Sequence, residues 1–301
     1  MTCRHIKLLM AFLRRPPSGE RRGAVIAWLA TGCFVRPRRV PLRRALAQVT
    51  SPTHRRAATR CTHSCRLCFT CPVERLVLWD IDLTLVNMAG VGHALLAHAL
   101  RATTGVELVH RPDLGGRTDR DLVTEVLTRH GVTVAEPLIE RMYLEMAAAA
   151  HERTGHMRSV GTALPGALAA LAALATIPGV VQTVVTGNTA PTARLKLAAV
   201  DLDSFIDFDI GGYGSESTIR GELVNLARSR AALKHGVTLT DKAVIVIGDT
   251  VNDIIGAKYS GAIAMAVATG RTPAAELHAA GADLVLTSLA DTRAVITAIT
   301  D

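Results

Sequence analysis

The chain reads as an α/β fold on a parallel sheet, and three observations carry that expectation. Three short apolar, β-branched runs stand out: Leu76-Val77-Leu78-Trp79, Val180-Val181-Gln182-Thr183-Val184-Val185 and Ala243-Val244-Ile245-Val246-Ile247. Each opens onto a small polar cluster, namely Asp80-Ile81-Asp82-Leu83-Thr84, Thr186-Gly187-Asn188 and Gly248-Asp249-Thr250-Val251-Asn252-Asp253. Helical patterns separate the runs. Continuous apolar runs suit strands covered on both faces, and parallel strands need helical crossovers between them.

The first run delivers two carboxylates to the C-terminal edge of its strand, where open α/β sheets bind ligands. Alternate residues of an extended segment share a face, so Asp80, Asp82 and Thr84 can look into one site. Like charges repel out of water, so two close acids imply a cation, a shared proton or both. Any one of the three clusters could be an ordinary strand-to-helix turn with a Thr or Asp cap. Three in register, holding four carboxylates, make a site the better reading.

About a hundred residues lie between Thr84 and Thr186, far more than a crossover needs. Periodicity predicts helices over 92–104, 119–130, 134–151 and 164–175, the last returning to the core. Residues 205–210 read as a strand, followed by a Gly-rich stretch to Arg220 and another helix. Further strands at 263–267 and 284–286, with helices at 274–280 and 289–299, complete a three-layer sandwich. No repeat of 20–50 residues is present.

From residue 73 to the C-terminus these motifs resemble the haloacid dehalogenase superfamily, specifically its phosphatase branch. The resemblance rests on Asp80-x-Asp82-x-Thr84, Thr186, a later basic residue and Gly248-Asp249-x-x-x-Asp253. Family members often carry Gly where Leu83 stands. Asp82 favours phosphoryl chemistry, because the dehalogenases proper lack this second acid. The resemblance implies a Rossmann-like parallel sheet of five or more strands, formed by 73–87 and 164–301. It implies an inserted all-helical cap over 88–163, of the kind that closes over small substrates and excludes water. In phosphoglycolate-phosphatase-like members a turn similar to Gly115-Gly116-Arg117-Thr118-Asp119 lies near the site. Arg117 is therefore a candidate contact to a substrate carboxylate or phosphate, the alternative being an exposed Arg in a capped turn.

The chemistry expected of these residues is phosphoryl transfer. Asp80 would attack phosphorus to form an aspartyl-phosphate, and Asp82 would protonate the leaving alcohol and then activate water. Mg²⁺ suits an all-oxygen site, with Asp80, the Asp82 carbonyl and Asp249 as ligands and Asp253 behind them or acting through water. Thr186, Gly187 and Asn188 would hold phosphoryl oxygens. Arg220 is taken as the basic residue there, although relatives usually have Lys-Pro where this chain has Arg220-Gly221. Lys196, in the helix after Thr186, is the competing candidate for that place, its other reading being a solvated helix-face lysine. His93, His98, His130, His151 and His156 lack metal-ligand spacing and read as polar surface groups.

Composition divides the chain near residue 72. Residues 1–72 hold fourteen Arg, one Lys and a single acid, a net of +14; the whole chain is +8, so the remainder is −6. The basic character thus belongs to the extension. A body of about 230 residues is ample for a core and a cap. All six cysteines, Cys3, Cys33, Cys61, Cys65, Cys68 and Cys71, also lie in the extension. Cys61-x3-Cys65-x2-Cys68-x2-Cys71 has spacing for zinc or an iron–sulfur cluster. A disordered tail, an untranslated upstream stretch and an organelle transit sequence are the other readings of 1–72. The apolar run 24–35 is too short to span a bilayer.

The resulting expectation is Mg²⁺-dependent hydrolysis of a small, phosphoglycolate-like phosphomonoester. The partner would be a phosphorylated metabolite, with no nucleic acid for the folded body and no membrane, and the setting cytoplasmic. A sugar-phosphate mutase using the same acids, and a binding protein on the same scaffold, are the alternatives.

Overall fold

The structure, a computed structural model, describes residues 73–301; every reading of the extension 1–72 lies outside the described residues. Six parallel strands form the sheet: β1 (Arg75–Trp79), β4 (Val180–Thr186), β5 (Gly212–Tyr213), β6 (Val244–Gly248), β7 (Ile263–Val267) and β8 (Leu284–Leu286). Their spatial order is β5-β4-β1-β6-β7-β8, which places β1 between β4 and β6. Leu78 pairs with Thr183 on one side and Val246 on the other. All three predicted strands therefore release their polar clusters at the same edge.

The burial pattern of β1 explains its unbroken apolar sequence. Val77 and Trp79 enter one core, and Leu76 and Leu78 enter the other. Helices α7 (Arg220–His235) and α8 (Val251–Tyr259) cover the second face. Helices α5 (Ala167–Leu174), α6 (Ala190–Ala198) and α10 (Thr292–Thr300) contribute to the first, and α9 (Ala274–Ala279) lies near the β8 edge. Full burial of one such large side chain is worth roughly 1.5–3 kcal/mol, so a strand apolar on both faces anchors two layers at once. Trp79 keeps its polar edge satisfied: Nε1 donates to Gln182 Oε1 at 3.2 Å, and Gln182 Nε2 donates to Leu171 O at 2.9 Å.

The helical insert leaves and returns through a two-stranded antiparallel ribbon, β2 (Val86–Asn87) against β3 (Thr162–Ala163), which the sequence reading did not anticipate. Between them run α1 (Val91–Thr104), α2 (Asp119–Arg129), α3 (Glu136–Glu152) and α4 (Thr154–Val160). Leu96 and Leu100 of α1, Val126 of α2 and Met142 and Met146 of α3 are buried in a cluster continuous with the first core. Predicted and observed helix ends differ by a few residues, and α4 was not foreseen.

One predicted strand is absent. Residues 205–210 form two short 3₁₀ turns, 203–205 and 208–210, and the edge strand is Gly212–Tyr213 instead. Asp207 is the reason: its side chain accepts from Asp209 N at 3.2 Å, starting a turn where the apolar pattern suggested extension.

Trp79→Phe would leave Gln182 Oε1 without its donor and open a void beside it. An unsatisfied buried acceptor costs about 1–3 kcal/mol, so urea denaturation should show a loss of that order.

Candidate active site

Asp80 follows β1 directly, and its N–H continues the ladder by donating to Ile247 O at 2.8 Å. The chain then turns back at once: Leu83 N donates to Val86 O at 2.7 Å. Leu83 adopts the left-handed region at φ 62°, which costs a residue with a Cβ roughly 1–2 kcal/mol. Glycine would take that conformation freely. Thr269 Oγ1, donating to Leu83 O at 2.6 Å, helps hold the turn.

Asp80, Asp249 and Asp253 converge, each offering an oxygen within 4.8 Å of the others. All three are buried. Burial first, then the charge of Asp253, pushes the Asp80 carboxyl up to about 7, against the pull of Arg220. Burial, then Asp80 and Asp253, push Asp249 up to about 8. Thr84 Oγ1 donates to Asp249 Oδ1 at 3.3 Å. Asp253 also closes a capping box at the start of α8, its Oδ2 accepting from Thr250 Oγ1 at 2.6 Å and from Thr250 N at 3.1 Å. Its Oδ1 lies 2.6 Å from Arg220 Nη2 yet has no donor aligned on it as a hydrogen bond. An all-oxygen trio of mutually repelling acids, one of whose buried oxygens accepts no hydrogen bond, fits a hard divalent cation such as Mg²⁺.

Two cations reach this edge from different helices. Arg220, at the start of α7, donates through Nη2 to Asp80 Oδ1 at 2.6 Å and to Val185 O at 3.2 Å. Lys196 is the correction: it is only 3% exposed, not a solvated helix-face lysine. Its three ammonium protons meet Asp82 Oδ1 at 2.7 Å, Asp82 Oδ2 at 2.6 Å and Asn188 Oδ1 at 2.7 Å. Asn188 Nδ2 in turn donates to Asp82 Oδ2 at 2.7 Å and Thr186 Oγ1 at 2.8 Å. The Asp82 carboxylate therefore faces Lys196 and stands apart from the acidic trio.

The insert closes one side of the cavity. Its turn at Gly116 reaches Arg220, whose Nη1 donates to Gly116 O at 3.4 Å. Arg117 lines the cavity, but its guanidinium is held by Asp121 at 2.6 Å and Glu125 at 2.5 Å. Gly187 packs under the insert so closely that a Cβ there would collide with the Arg117 carbonyl. His130 braces the loop before this turn, accepting at Nε2 from Val109 N at 3.1 Å, and His93 is partly buried at the cavity wall. Neither is a surface group; His151 and His156 are exposed. Among the described residues the acidic trio is the one cluster with metal-ligating geometry.

Sequence reasoning missed Asp119. It is buried at the start of α2, its N–H donating to Gly187 O at 2.7 Å and its Oδ2 accepting from Thr189 N at 2.8 Å. It thus ties the insert to the loop after β4 at two points, Gly187 and Thr189. Burial pushes its carboxyl up to about 6, against the Thr189 N–H and the Lys196 charge. The sequence signal, Thr118 followed by Asp119, is indistinguishable from an ordinary helix start.

The model of one family, haloacid dehalogenase-like hydrolase, matches residues 77–258. The chain belongs to that family. No curated protein matches it in sequence. Solved structures share the fold. A hydrolase from Pseudomonas syringae is 21% identical with a TM-score of 0.53, covering 76% of this chain and 100% of its own. A predicted phosphoglycolate phosphatase from Haemophilus somnus 129pt is 16% identical with a TM-score of 0.52, covering 74% and 97%. A protein provisionally named a β-phosphoglucomutase, from Bacteroides vulgatus, is 18% identical with a TM-score of 0.53, covering 76% and 92%.

Two outcomes follow. Asp119→Ala strands the buried Thr189 N–H and should cost about 1–3 kcal/mol in a denaturant titration, whereas Asp119→Asn keeps an acceptor and should cost less. For Asp80 and Asp249 the folded state favours the neutral acids. Stability from Asp80 and Asp249 is therefore present below about pH 4 and lost as pH rises through about 7 and 8. Added Mg²⁺ should accordingly raise the melting temperature more at pH 8 than at pH 6, and Asp249→Asn should abolish most of that difference.

Proposed function

We propose that the protein hydrolyses small phosphomonoesters, with Mg²⁺, through an aspartyl-phosphate on Asp80. The observation that carries this reading is the convergence, on one cavity, of a buried acidic trio, a separately held fourth acid and two buried cations. Among the described residues, the buried charged side chains all lie at or beside this sheet edge.

Asp80 is the nucleophile, aimed by its hydrogen bond from Arg220. The ladder bond from Asp80 N fixes the backbone and the Arg220 bond aims the carboxylate, the positioning on which phosphoryl transfer depends. Asp82 is the acid and then the base, held by Lys196 and Asn188 at the mouth of the strand. Thr186 Oγ1 and the amides of Gly187 and Asn188 receive a phosphoryl oxygen. Asp80 and Asp249, with the Asp82 carbonyl, would hold Mg²⁺, and Asp253 would support it. The metal, when bound, neutralises charge on the transferring group. The helical insert acts as the cap, and excluding water there strengthens every charge interaction within. The cysteine-free body suits a reducing, cytoplasmic setting.

Phosphate release from a panel of small esters should require Mg²⁺ and fall by about 10³-fold or more in Asp80→Asn. Alcohol release running ahead of phosphate would mark the covalent step. A folded protein inactive on every ester would refute the reading, and sugar-phosphate isomerisation without phosphate release would replace hydrolysis by phosphotransfer.

A further inference from the structure

Asp119 is a buried carboxylate that the proposed chemistry does not use. It is not needed to start α2, because the Thr118 hydroxyl already caps that helix, accepting from Asp121 N at 3.3 Å. Its N–H and its carboxylate both reach across to the core instead. The N–H donates to Gly187 O at 2.7 Å, and Oδ2 accepts from Thr189 N at 2.8 Å. These two bonds bracket Asn188.

The insert grips the same residue by a second route. Arg120 N donates to Gly214 O at 2.8 Å, and Gly214 N donates to Asn188 O at 3.0 Å. Both crossings need glycine: a Cβ on Gly187 would collide with the Arg117 carbonyl, and one on Gly214 with the Gly187 carbonyl.

Asn188 carries this hold to the reacting groups. Its Nδ2 donates to Asp82 Oδ2 at 2.7 Å, and its Oδ1 accepts from Lys196 Nζ, also at 2.7 Å. Lys196 meets both Asp82 oxygens. The Asp82 side chain is 42% exposed, and among the described residues Asn188 and Lys196 are the side chains that aim its carboxylate. Burial pushes the Asp119 carboxyl up, the Thr189 N–H and the Lys196 charge pull it back, and the Asp82 charge adds to the rise. The carboxylate of the insert thus lies within electrostatic reach of the pair beside it.

We infer that Asp119 is a positioning residue for Asp82, so that docking of the insert sets the acid–base step through Asn188. The inference rests on the phosphomonoesterase reading and deepens it. In the first step Asp80 bonds to phosphorus while the bond to the leaving oxygen breaks. That oxygen, keeping the electron pair, takes the Asp82 proton. In the second step Asp82 takes a proton from the attacking water. A displacement of about 1 Å in such a group can cost about 10²-fold in rate. Asp80 is held separately, by Arg220 and by the ladder bond of its own N–H, and keeps its aim.

Two esters of similar size test this. The p-nitrophenolate of p-nitrophenyl phosphate leaves without a proton, whereas the alkoxide of benzyl phosphate needs one. Because kcat/KM ends at the phosphoenzyme, the ratio between the esters reads leaving-group protonation and not the later hydrolysis. On the full chain with Mg²⁺, Asp119→Ala should lower kcat/KM for benzyl phosphate about tenfold to a hundredfold more than for p-nitrophenyl phosphate. Asp119→Asn, which keeps an acceptor for Thr189 N, should keep the parent ratio. Asp82→Asn should show a selective loss at least as large, and adding Asp119→Ala to it should change the ratio no further. Equal losses on the two esters, or a further selective loss in the double variant, would overturn the inference and leave Asp119 a tie between insert and core. A selective loss in Asp119→Asn equal to that in Asp119→Ala would assign the effect to charge and overturn it too. Should Asp119→Ala not fold, Asp119→Ser, one bond too short for Thr189 N, takes its place. If the parent protein turns over neither ester, the phosphatase reading fails and this inference with it; parallel losses in an active enzyme sink the inference alone.

Discussion

Three carboxylates held out of water within 4.8 Å of one another set the terms for the rest of the structure. Such a cluster is unfavourable unless protons, cations or metal answer it, and breaking a buried pair costs about 3–5 kcal/mol because the survivor is stranded. The fold answers with Arg220 from α7, and it places Lys196 from α6 on the neighbouring Asp82. The edge strand β5 and the turn before α7 bring Arg220 to the site, and the crossover through α6 brings Lys196. The sheet order, with β1 between β4 and β6, lets both helices serve one point.

The same edge explains why the insert docks where it does. Asp119 and Arg120 donate backbone N–H groups to Gly187 and Gly214, and Gly116 offers its carbonyl to Arg220. Small residues at these crossings allow backbone to approach backbone. The ribbon of β2 and β3 leaves the insert joined to the core at a narrow neck. The contacts at Asp119 and Gly116 thus link the insert to the loop and the cation around which the chemistry is proposed.

Charge matching also separates chemistry from recognition. The cations near the acids are consumed by the acids, so they orient Asp80 and Asp82 and are not free for the rest of a substrate. The far wall mixes apolar surface from Met88, Val91 and Leu114 with polar side chains such as Asn87, His93 and Asn252. A family resemblance in the motifs carries no information about that wall, because the motifs lie on the core strands and the wall comes largely from the insert and its neck.

Much of this was legible in the residues. The three apolar runs predicted β1, β4 and β6, because strands buried on both faces must be apolar throughout, and the polar clusters behind them identified Asp80, Asp82, Thr186, Asn188, Asp249 and Asp253. The strand expected at 205–210 failed because a single Asp207 side chain, hydrogen-bonding locally, outweighed the apolar pattern. The burial of Lys196, a candidate the sequence offered beside Arg220, and the role of Asp119 were not legible for a different reason. A lysine on a helix and an aspartate at a helix start are common in water, and only the crossing of α6 and α2 over the strand ends takes them out of it. Local pattern thus determined which elements form and which acids meet at the sheet edge. Which cation faces which acid, and what the cavity leaves for a substrate, depended on tertiary packing, since charge pairing is decided by distances that no spacing along the chain contains.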